Sequence, residues 1–255
     1  MNTVDANAVE TKVKSMYERV ALDPHGDFHF EMGRTLAERL GYSPYDLDRV
    51  PAAAIDSFAG VGHHFDLAAL RSGERVLDLG SGSGLDTFVA SLKVGRTGQV
   101  LGIDMTAAQL AKADELRRQA GFPNVRYVEG YIDQLPFEDE SFDCVVSNGV
   151  INLVTNKQGT FAEAARVLRP GGRIALSDIV TAVDLPNGIV CNATLWAACI
   201  GGAMHRDAYQ DAIEDAGLRI QVVQPNPQYR FISDQASGAT RKYRVQSISL
   251  VAVKP

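Results

Sequence analysis

The segment VLDLGSGSG, from Val76 to Gly84, decides the fold class of this chain. A short apolar run that ends on an acid and passes at once into glycines is typical of a buried parallel strand followed by a tight turn. Glycine tolerates positive φ and lets a ligand approach the backbone closely. The next segment, LDTFVASLKVG, has apolar residues at helical spacing, so the loop opens a helix. The pattern predicts a site for a nucleoside-type cofactor.

A second acid follows at a distance that supports this interpretation. Asp104 ends the apolar segment QVLGID and lies twenty positions after Gly84. In dinucleotide-binding folds, an acid at this point accepts hydrogen bonds from the ribose hydroxyls. The nicotinamide fingerprint G-x-G-x-x-G fits poorly, because its third glycine would fall on Leu85 or Thr87. The observed pattern is D-x-G-x-G-x-G, and NAD stays the alternative if the loop holds a pyrophosphate.

Composition excludes several classes of protein. The chain has 255 residues, of which 45% are hydrophobic and 22% charged, which describes an ordinary globular protein with a full core. A formal charge of −6 argues against nucleic acid as the main partner. The N-terminus lacks an apolar signal core and no segment has membrane-spanning length, so we expect no membrane partner and a cytoplasmic location. The odd number of cysteines, 3, does not suggest a disulfide framework, and no metal site is predicted.

From Glu74 onward, strand and helix patterns alternate, which predicts an α/β fold with a mostly parallel sheet and helices on both faces. The predicted strands are RVLDLG, QVLGID, VRYVEG, FDCVVSN, RIALSDI, LRIQVVQP and ISLVAVKP. Helices are predicted to begin near Asp86, Thr106 and Lys157, and two more between residues 185 and 217. Thr106 to Gln109 reads as a capping box, and Gly121 as the helix stop.

Residues 1–70 carry helical patterns around Val9–Leu22 and Phe30–Leu40 and are predicted to form an N-terminal helical cap. Residues 71–255 are assigned to the cofactor-binding domain, as one compact unit with the cap. Polar groups follow the ends of several predicted strands, where ligands bind in such sheets. These groups are Asp78, Asp104, residues 131–133 and residues 147–148.

The glycine loop with Asp104 resembles motif I of class I S-adenosylmethionine (SAM)-dependent methyltransferases. The resemblance implies SAM as the cofactor and a Rossmann-like seven-stranded sheet with an antiparallel last strand. The segment from Gly130 to Phe137 resembles the part that holds adenine, with Tyr131 in the place of the usual acid. The residues assigned to the cofactor are Asp78, Gly80, Ser81, Gly82, Gly84, Asp104, Met105, Ile132, Asp133 and Asn148.

Four further segments, AIDSFAGVG, LGIDMT, SNGVINL and LWAACIGGA, resemble the arsenite methyltransferase group. Three cysteines bind arsenic in that group, and their positions here read Val61, Gly149 and Cys199. Arsenite prefers several thiolates, and Cys191 lies about two helical turns before Cys199. An arsenical therefore requires a reduced thiolate site, completed by a thiol on the substrate.

The competing interpretation is a small organic acceptor that offers a thiol, amine or hydroxyl nucleophile. Its candidate catalytic residues are His63 and His64, whose neutral imidazole rings can act as bases, whereas Cys199 is the catalytic candidate for a thiophilic acceptor. A third hypothesis is a protein that binds SAM without transferring its methyl group. The chain is expected to act as a monomer or homodimer on a small molecule.

Overall fold

A computed structural model describes residues 4–190, 192, 196, 200–231 and 242–255 of the chain. Five helices precede the first strand: α1 (Ala6–Leu22), α2 (Arg34–Leu40), α3 (Pro44–Leu47), α4 (Ala52–Asp56) and α5 (Phe65–Ala68). The Asp5 side chain caps α1 by accepting a hydrogen bond from the Ala8 amide at 3.2 Å. The buried residues Val9, Val13 and Val20 lie on one face of α1.

Strands and helices then alternate. The elements are β1 (Arg75–Leu79), α6 (Leu85–Val94), β2 (Gln99–Asp104), α7 (Ala107–Ala120), β3 (Val125–Glu129), β4 (Phe142–Asn148), a 3₁₀ turn (Ile151–Leu153), α8 (Lys157–Val167), β5 (Leu168–Thr181), α9 (Asn187–Val190), β6 (Met204–His205), α10 (Arg206–Asp215), β7 (Arg219–Pro225) and β8 (Gln246–Val253).

The main strands form one sheet in the order β3-β2-β1-β4-β5-β8-β7, and the two-residue strand β6 pairs with β5. β8 runs antiparallel to both of its neighbours, β5 and β7. The other pairs are parallel. The prediction of a mostly parallel sheet with an antiparallel last strand is confirmed, with β6 as a small addition.

Alternate residues of the central strands face two separate cores. Val76 and Val146 pack with α6 and the N-terminal helices, whereas Leu77 and Val145 pack with α8 and α10 on the other side. Helices therefore cover both faces of the sheet, as predicted, because parallel strands must bury both faces. In the described part of the chain, no helix is both long and apolar enough to span a membrane.

Three local predictions need correction. The second helix begins at Arg34 rather than near Phe30, because Gly33 has φ +85° and interrupts the helical backbone before it. The fifth strand is longer than RIALSDI and spans Leu168–Thr181. Thr106 makes no side-chain cap bond at the start of α7, so the predicted capping box is absent, although Gly121 does end the helix in the left-handed conformation.

Candidate functional site

A cavity of about 210 Å³ lies at the carboxyl ends of the parallel strands. Asp78 near the end of β1, Asp104 at the end of β2 and Asn148 at the end of β4 all line it. Residues 130–133, which follow β3, form another part of its wall. Strand ends meet at one edge of a parallel sheet, so polar groups distant in sequence converge there.

The glycine loop forms the floor of this cavity. Gly80, Gly82 and Gly84 have φ values of +68°, +53° and +96°, a region that side chains disfavour. The amides of Gly80 and Ser81 both donate to the carbonyl of Ile103, at 2.8 and 3.0 Å. These bonds tie the turn after β1 to the end of β2.

Two of these glycines also have no space for a side chain. A Cβ atom at Gly80 would lie 2.4 Å from Val150 Cγ1, and one at Gly84 would lie 2.3 Å from the Tyr127 hydroxyl. At Gly82 the nearest atom would be 3.7 Å away, so only the backbone conformation requires glycine there. The sequence pattern of alternating glycines thus has a steric cause at its first and last positions.

Asp104 holds the loop from the neighbouring strand. Its Oδ2 atom accepts the Gly82 amide at 2.9 Å and its Oδ1 atom accepts the Thr106 amide at 2.8 Å. Burial raises the pKa of Asp104, and these amide bonds oppose that shift. Each carboxylate oxygen can accept a second hydrogen bond, so acceptor capacity remains for a ligand.

Asp78 and Ser81 have unsatisfied polar atoms at the cavity wall. Asp78 is 2% exposed and Ser81 8% exposed. Within the described residues, Asp78 Oδ2 and Ser81 Oγ have no hydrogen-bond partner. Burial, with the nearby carboxylates of Asp86 and Asp104, raises the pKa of Asp78 well above its usual range. Buried polar atoms are normally paired, so these two suit a ligand that donates hydrogen bonds and carries positive charge.

Sequence reasoning did not assign a role to the buried network around Asp86. The Tyr42 hydroxyl donates to Asp86 Oδ1, and Asn148 Nδ2 donates to Asp86 Oδ2 at 3.1 Å. Burial raises the pKa of Asp86 to about 6, against the effect of these bonds. An acid in the first turn of the helix after the loop is a signal that could have found Asp86. Tyr42 has no such signal, because its contacts are distant in sequence.

The Asn148 side chain binds the backbone of the segment at Val61 and Gly62, next to the cavity. Its Oδ1 atom accepts the amide of Val61 at 2.8 Å and that of Gly62 at 3.3 Å. Its Nδ2 atom donates to the Gly62 carbonyl at 3.0 Å. Asn148 therefore fixes the chain segment that precedes α5 against the end of β4.

Helix α1 covers the cavity. Its residues Val9, Glu10, Val13 and Tyr17 line the space opposite the glycine loop. Gln109, the last residue of the supposed capping box, instead donates to the Tyr17 carbonyl at 2.8 Å. It also accepts a hydrogen bond from Ser83 of the loop.

A clasp of three side chains joins the N-terminal half of α1 to the segment after β3. The Tyr131 hydroxyl donates to Glu10 Oε1 at 2.7 Å and accepts from Lys14 Nζ at 2.8 Å. Lys14 and Glu10 form an ion pair at 2.9 Å. Tyr131, at the position where the resemblance implies an adenine-binding acid, thus binds the helix that covers the site.

Every residue assigned to the cofactor from the sequence lines the cavity; contact with the cofactor stays a prediction. Ile132 is buried, and Asp133 accepts a hydrogen bond from Asn156 Nδ2 at 3.4 Å. Cys199 and Cys191 lie outside the described residues. Cys144 is buried in β4, as expected for a small apolar side chain.

The two candidate histidines are not among the described residues that line the cavity. His64 is fully buried beside Phe65, with ring centroids 4.5 Å apart, and burial lowers its pKa to about 3. His63 packs on the edge of Tyr42 and lies 3.6 Å from the Asp66 carboxylate. A general base must reach the proton that it removes. The geometry thus gives the predicted catalytic role of these histidines no support.

Gly149 lines the cavity, and Val61 is its neighbour on the side where a Cβ atom would point. A Cβ atom at Gly149 would lie 3.1 Å from Val61 Cγ1, and Gly149 has φ +71°. Val61 is 1% exposed. These are two of the three positions that the resemblance assigns to cysteine. Neither position carries a thiol.

Comparison with known proteins identifies relatives of this chain. A family model described as a methyltransferase domain matches residues 70–217. The arsenite methyltransferase of Halobacterium salinarum is 37% identical over 240 residues, which cover 92% of this chain and 61% of that protein. Human arsenite methyltransferase is 45% identical over 139 residues, covering 51% of this chain and 37% of the human protein. The chain thus spans less than two thirds of the length of these relatives.

Solved structures of methyltransferases resemble this chain as well. An arsenic(III) S-adenosylmethionine methyltransferase from Chlamydomonas reinhardtii has a TM-score of 0.64 and 28% identity, covering 88% of this chain and 74% of that one. Geranyl diphosphate C-methyltransferase from Streptomyces coelicolor has a TM-score of 0.70 at 17% identity, covering 99% of this chain and all of that one. The second likeness concerns the fold alone.

Proposed function

Because this chain belongs to the methyltransferase family, as a class I enzyme close to the arsenite methyltransferase group, we propose that it transfers a methyl group to a small-molecule acceptor. SAM is the cofactor, and when bound it supplies a methyl group that its sulfonium has already activated. The acceptor is proposed to offer a thiol, amine or hydroxyl nucleophile.

One observation carries the proposal: Asp78 and Ser81 line the cavity, and each has a buried polar atom with no hydrogen-bond partner in the described part of the chain. A ligand with both ammonium and hydroxyl donors matches these acceptors. We propose that Asp78 and the loop hold the amino-acid end of the cofactor. Asp104, whose oxygens retain acceptor capacity, is proposed to bind the ribose.

The adenine end is assigned to Ile132 and Asp133, with Met105 beside them. Ile132 offers a buried apolar surface and Asp133 an acceptor. Asn148 is proposed to lie near the reacting sulfur, where its fixed amide positions the segment of Val61. Helix α1 would exclude water from the bound ligand, and methyl transfer requires mainly alignment and a dry site.

The acceptor side is proposed to be organic rather than metalloid. The residues at positions 61 and 149 support this, because valine and glycine offer no thiolate and a soft trivalent arsenic centre prefers thiolates.

The named relatives favour a second candidate, an arsenical. This function would use Cys199, with Cys191 or a thiol borne by the substrate. A third candidate, SAM binding without transfer, predicts tight cofactor binding and no turnover on any acceptor.

An acceptor screen with methyl-labelled SAM separates these candidates. Thiols, amines, hydroxyl compounds and trivalent arsenic with a small thiol are each incubated with the enzyme. We expect methylation of an organic acceptor that Cys199→Ala does not impair, with Cys144→Ala as the matched control. Methylation of arsenic that Cys199→Ala abolishes and Cys144→Ala preserves would instead establish the arsenical function.

A further inference from the structure

The charged side chains that line the cavity are all acidic in the described part of the chain. These side chains are Glu10, Asp78, Asp86, Asp104 and Asp133. Among the described residues that line the cavity there is no lysine, arginine or histidine. Glu10 is paired with Lys14 at 2.9 Å, so the rim is partly neutralised, whereas Asp78 and Asp86 are buried.

The buried acids outnumber the positive charge that the cofactor brings. SAM carries one net positive charge, from its sulfonium and ammonium groups less its carboxylate. Asp78 is assigned to the ammonium group of the cofactor and Asp104 to its ribose, whereas Asp86 is bonded only to the neutral groups of Tyr42 and Asn148 and has no cationic partner in the described part of the chain. Since uncompensated buried charge is costly, negative charge remains for a second ligand to balance.

We propose that the methyl acceptor is an amine that enters the cavity as a cation, and that Asp86 is the carboxylate that holds it. This rests on the proposed methyltransferase function and narrows its acceptor class. Acceptors with carboxylate or phosphate groups are disfavoured, because they would add negative charge to the same space.

The contacts of Asp86 suit this role better than those of the other acids. Tyr42 and Asn148 fix both carboxylate oxygens, and each oxygen keeps a lone pair for a donor. Tyr42 is itself immobilised by edge contacts with Phe58 and His63, at centroid distances of 5.0 and 4.8 Å. Asp86 thus presents a fixed charge beside Asn148.

An amine must lose a proton before its lone pair can accept a methyl group. That proton can pass from the ammonium nitrogen to the Asp86 carboxylate, which leaves a neutral amine and a neutral acid. Burial raises the pKa of Asp86 to about 6, so its carboxylate is a stronger base than that of an exposed aspartate.

Two cofactor analogues test the charge preference without a known acceptor. S-adenosylhomocysteine has a neutral thioether, whereas sinefungin has a carbon atom that bears an amino group in place of the methylated sulfur. We expect calorimetry at neutral pH to show that wild-type protein binds sinefungin about tenfold to a hundredfold more tightly, the range of a charge-assisted hydrogen bond. Asp86→Asn should abolish this preference and leave S-adenosylhomocysteine affinity within about threefold.

Asp104→Asn is the matched control, and it should weaken both analogues by the same factor. If the Asp86→Asn variant still binds S-adenosylhomocysteine with near-wild-type affinity, the variant has folded. Equal sinefungin preference in wild type and Asp86→Asn, or a wild-type preference for S-adenosylhomocysteine, would overturn the role of Asp86. If wild type bound neither analogue, the proposed function itself would fail.

Discussion

Replacing Gly80 with alanine separates the two reasons for the glycine loop. The new Cβ atom would lie 2.4 and 2.5 Å from the two methyl carbons of Val150, at a residue with φ +68°. At Gly82 the same change meets nothing closer than 3.7 Å, although φ is +53°. The two variants therefore share backbone strain but differ in steric overlap.

The strain of a left-handed alanine costs about 1–2 kcal/mol, and displacing a packed side chain costs about 1–3 kcal/mol more. We therefore expect Gly80→Ala to lower the free energy of unfolding by about 2–5 kcal/mol. Gly82→Ala should lower it by only about 1–2 kcal/mol. Val150→Ala in the Gly80→Ala background removes both methyl carbons but leaves Val150 Cβ at 2.9 Å, so recovery should be partial.

Urea unfolding measures these changes in the free energy of unfolding. The proteins compared are wild type, Gly80→Ala, Val150→Ala, their double variant and Gly82→Ala. The double-mutant cycle should give a favourable coupling above about 0.5 kcal/mol between positions 80 and 150. Calorimetry with S-adenosylhomocysteine should show the greatest loss of affinity in Gly80→Ala. Equal stability of Gly80→Ala and Gly82→Ala, or zero coupling with Val150, would refute the steric explanation.

Asp104→Ala should weaken SAM binding by about 1–3 kcal/mol, since hydrogen-bonded groups lose their partner; unchanged affinity in calorimetry would reject its proposed ribose role. Tyr131→Phe removes the hydrogen bonds of the clasp on α1 and should raise the dissociation rate of S-adenosylhomocysteine up to about fivefold. A wild-type dissociation rate in stopped-flow experiments would show that the clasp does not retain the ligand. Burial opposes ionisation of Glu74, but hydrogen bonds from Arg173 at 2.8 and 2.9 Å outweigh it and lower the Glu74 pKa. The ionised Glu74 carboxylate therefore stabilises the folded chain fully above pH 4.5, its ordinary pKa. This stabilisation is lost as the pH falls through the lower pKa that Glu74 has in the folded chain. Urea unfolding at a series of pH values from 4.5 downward should show this loss of stability in wild type but not in Glu74→Gln.

The elements predicted from sequence are those with local signals. The apolar run before Gly80 and the spacing to Asp104 require only neighbouring residues, and they led to the strand ends that line the cavity. Helices α3 to α5 have four or five residues each, too few to show a hydrophobic period. Packing against distant segments supports them instead: α3 lies against α6, α4 against α7, and α5 against β5 and β8.

The unpredicted part of the site depends on contacts between distant segments. Tyr42 lies 44 positions from Asp86, and Tyr131 lies 121 positions from Glu10. No local pattern marks such pairs. The capping box at Thr106 was misread for the same reason, because Gln109 is drawn to Ser83 and Tyr17 instead of to its own helix end.

The contact between Val61 and Gly149 imposes an order on the substitutions that could introduce thiols here. A cysteine at position 149 would have a Cβ atom 3.1 Å from Val61 Cγ1, on a backbone with φ +71°. A cysteine at position 61 has a single γ atom, its sulfur, in place of two methyl groups, and it relieves that crowding when the sulfur does not take the place of Cγ1. A mutational path toward a paired thiol site is therefore easier when it begins at position 61, and the reverse order passes through a strained intermediate.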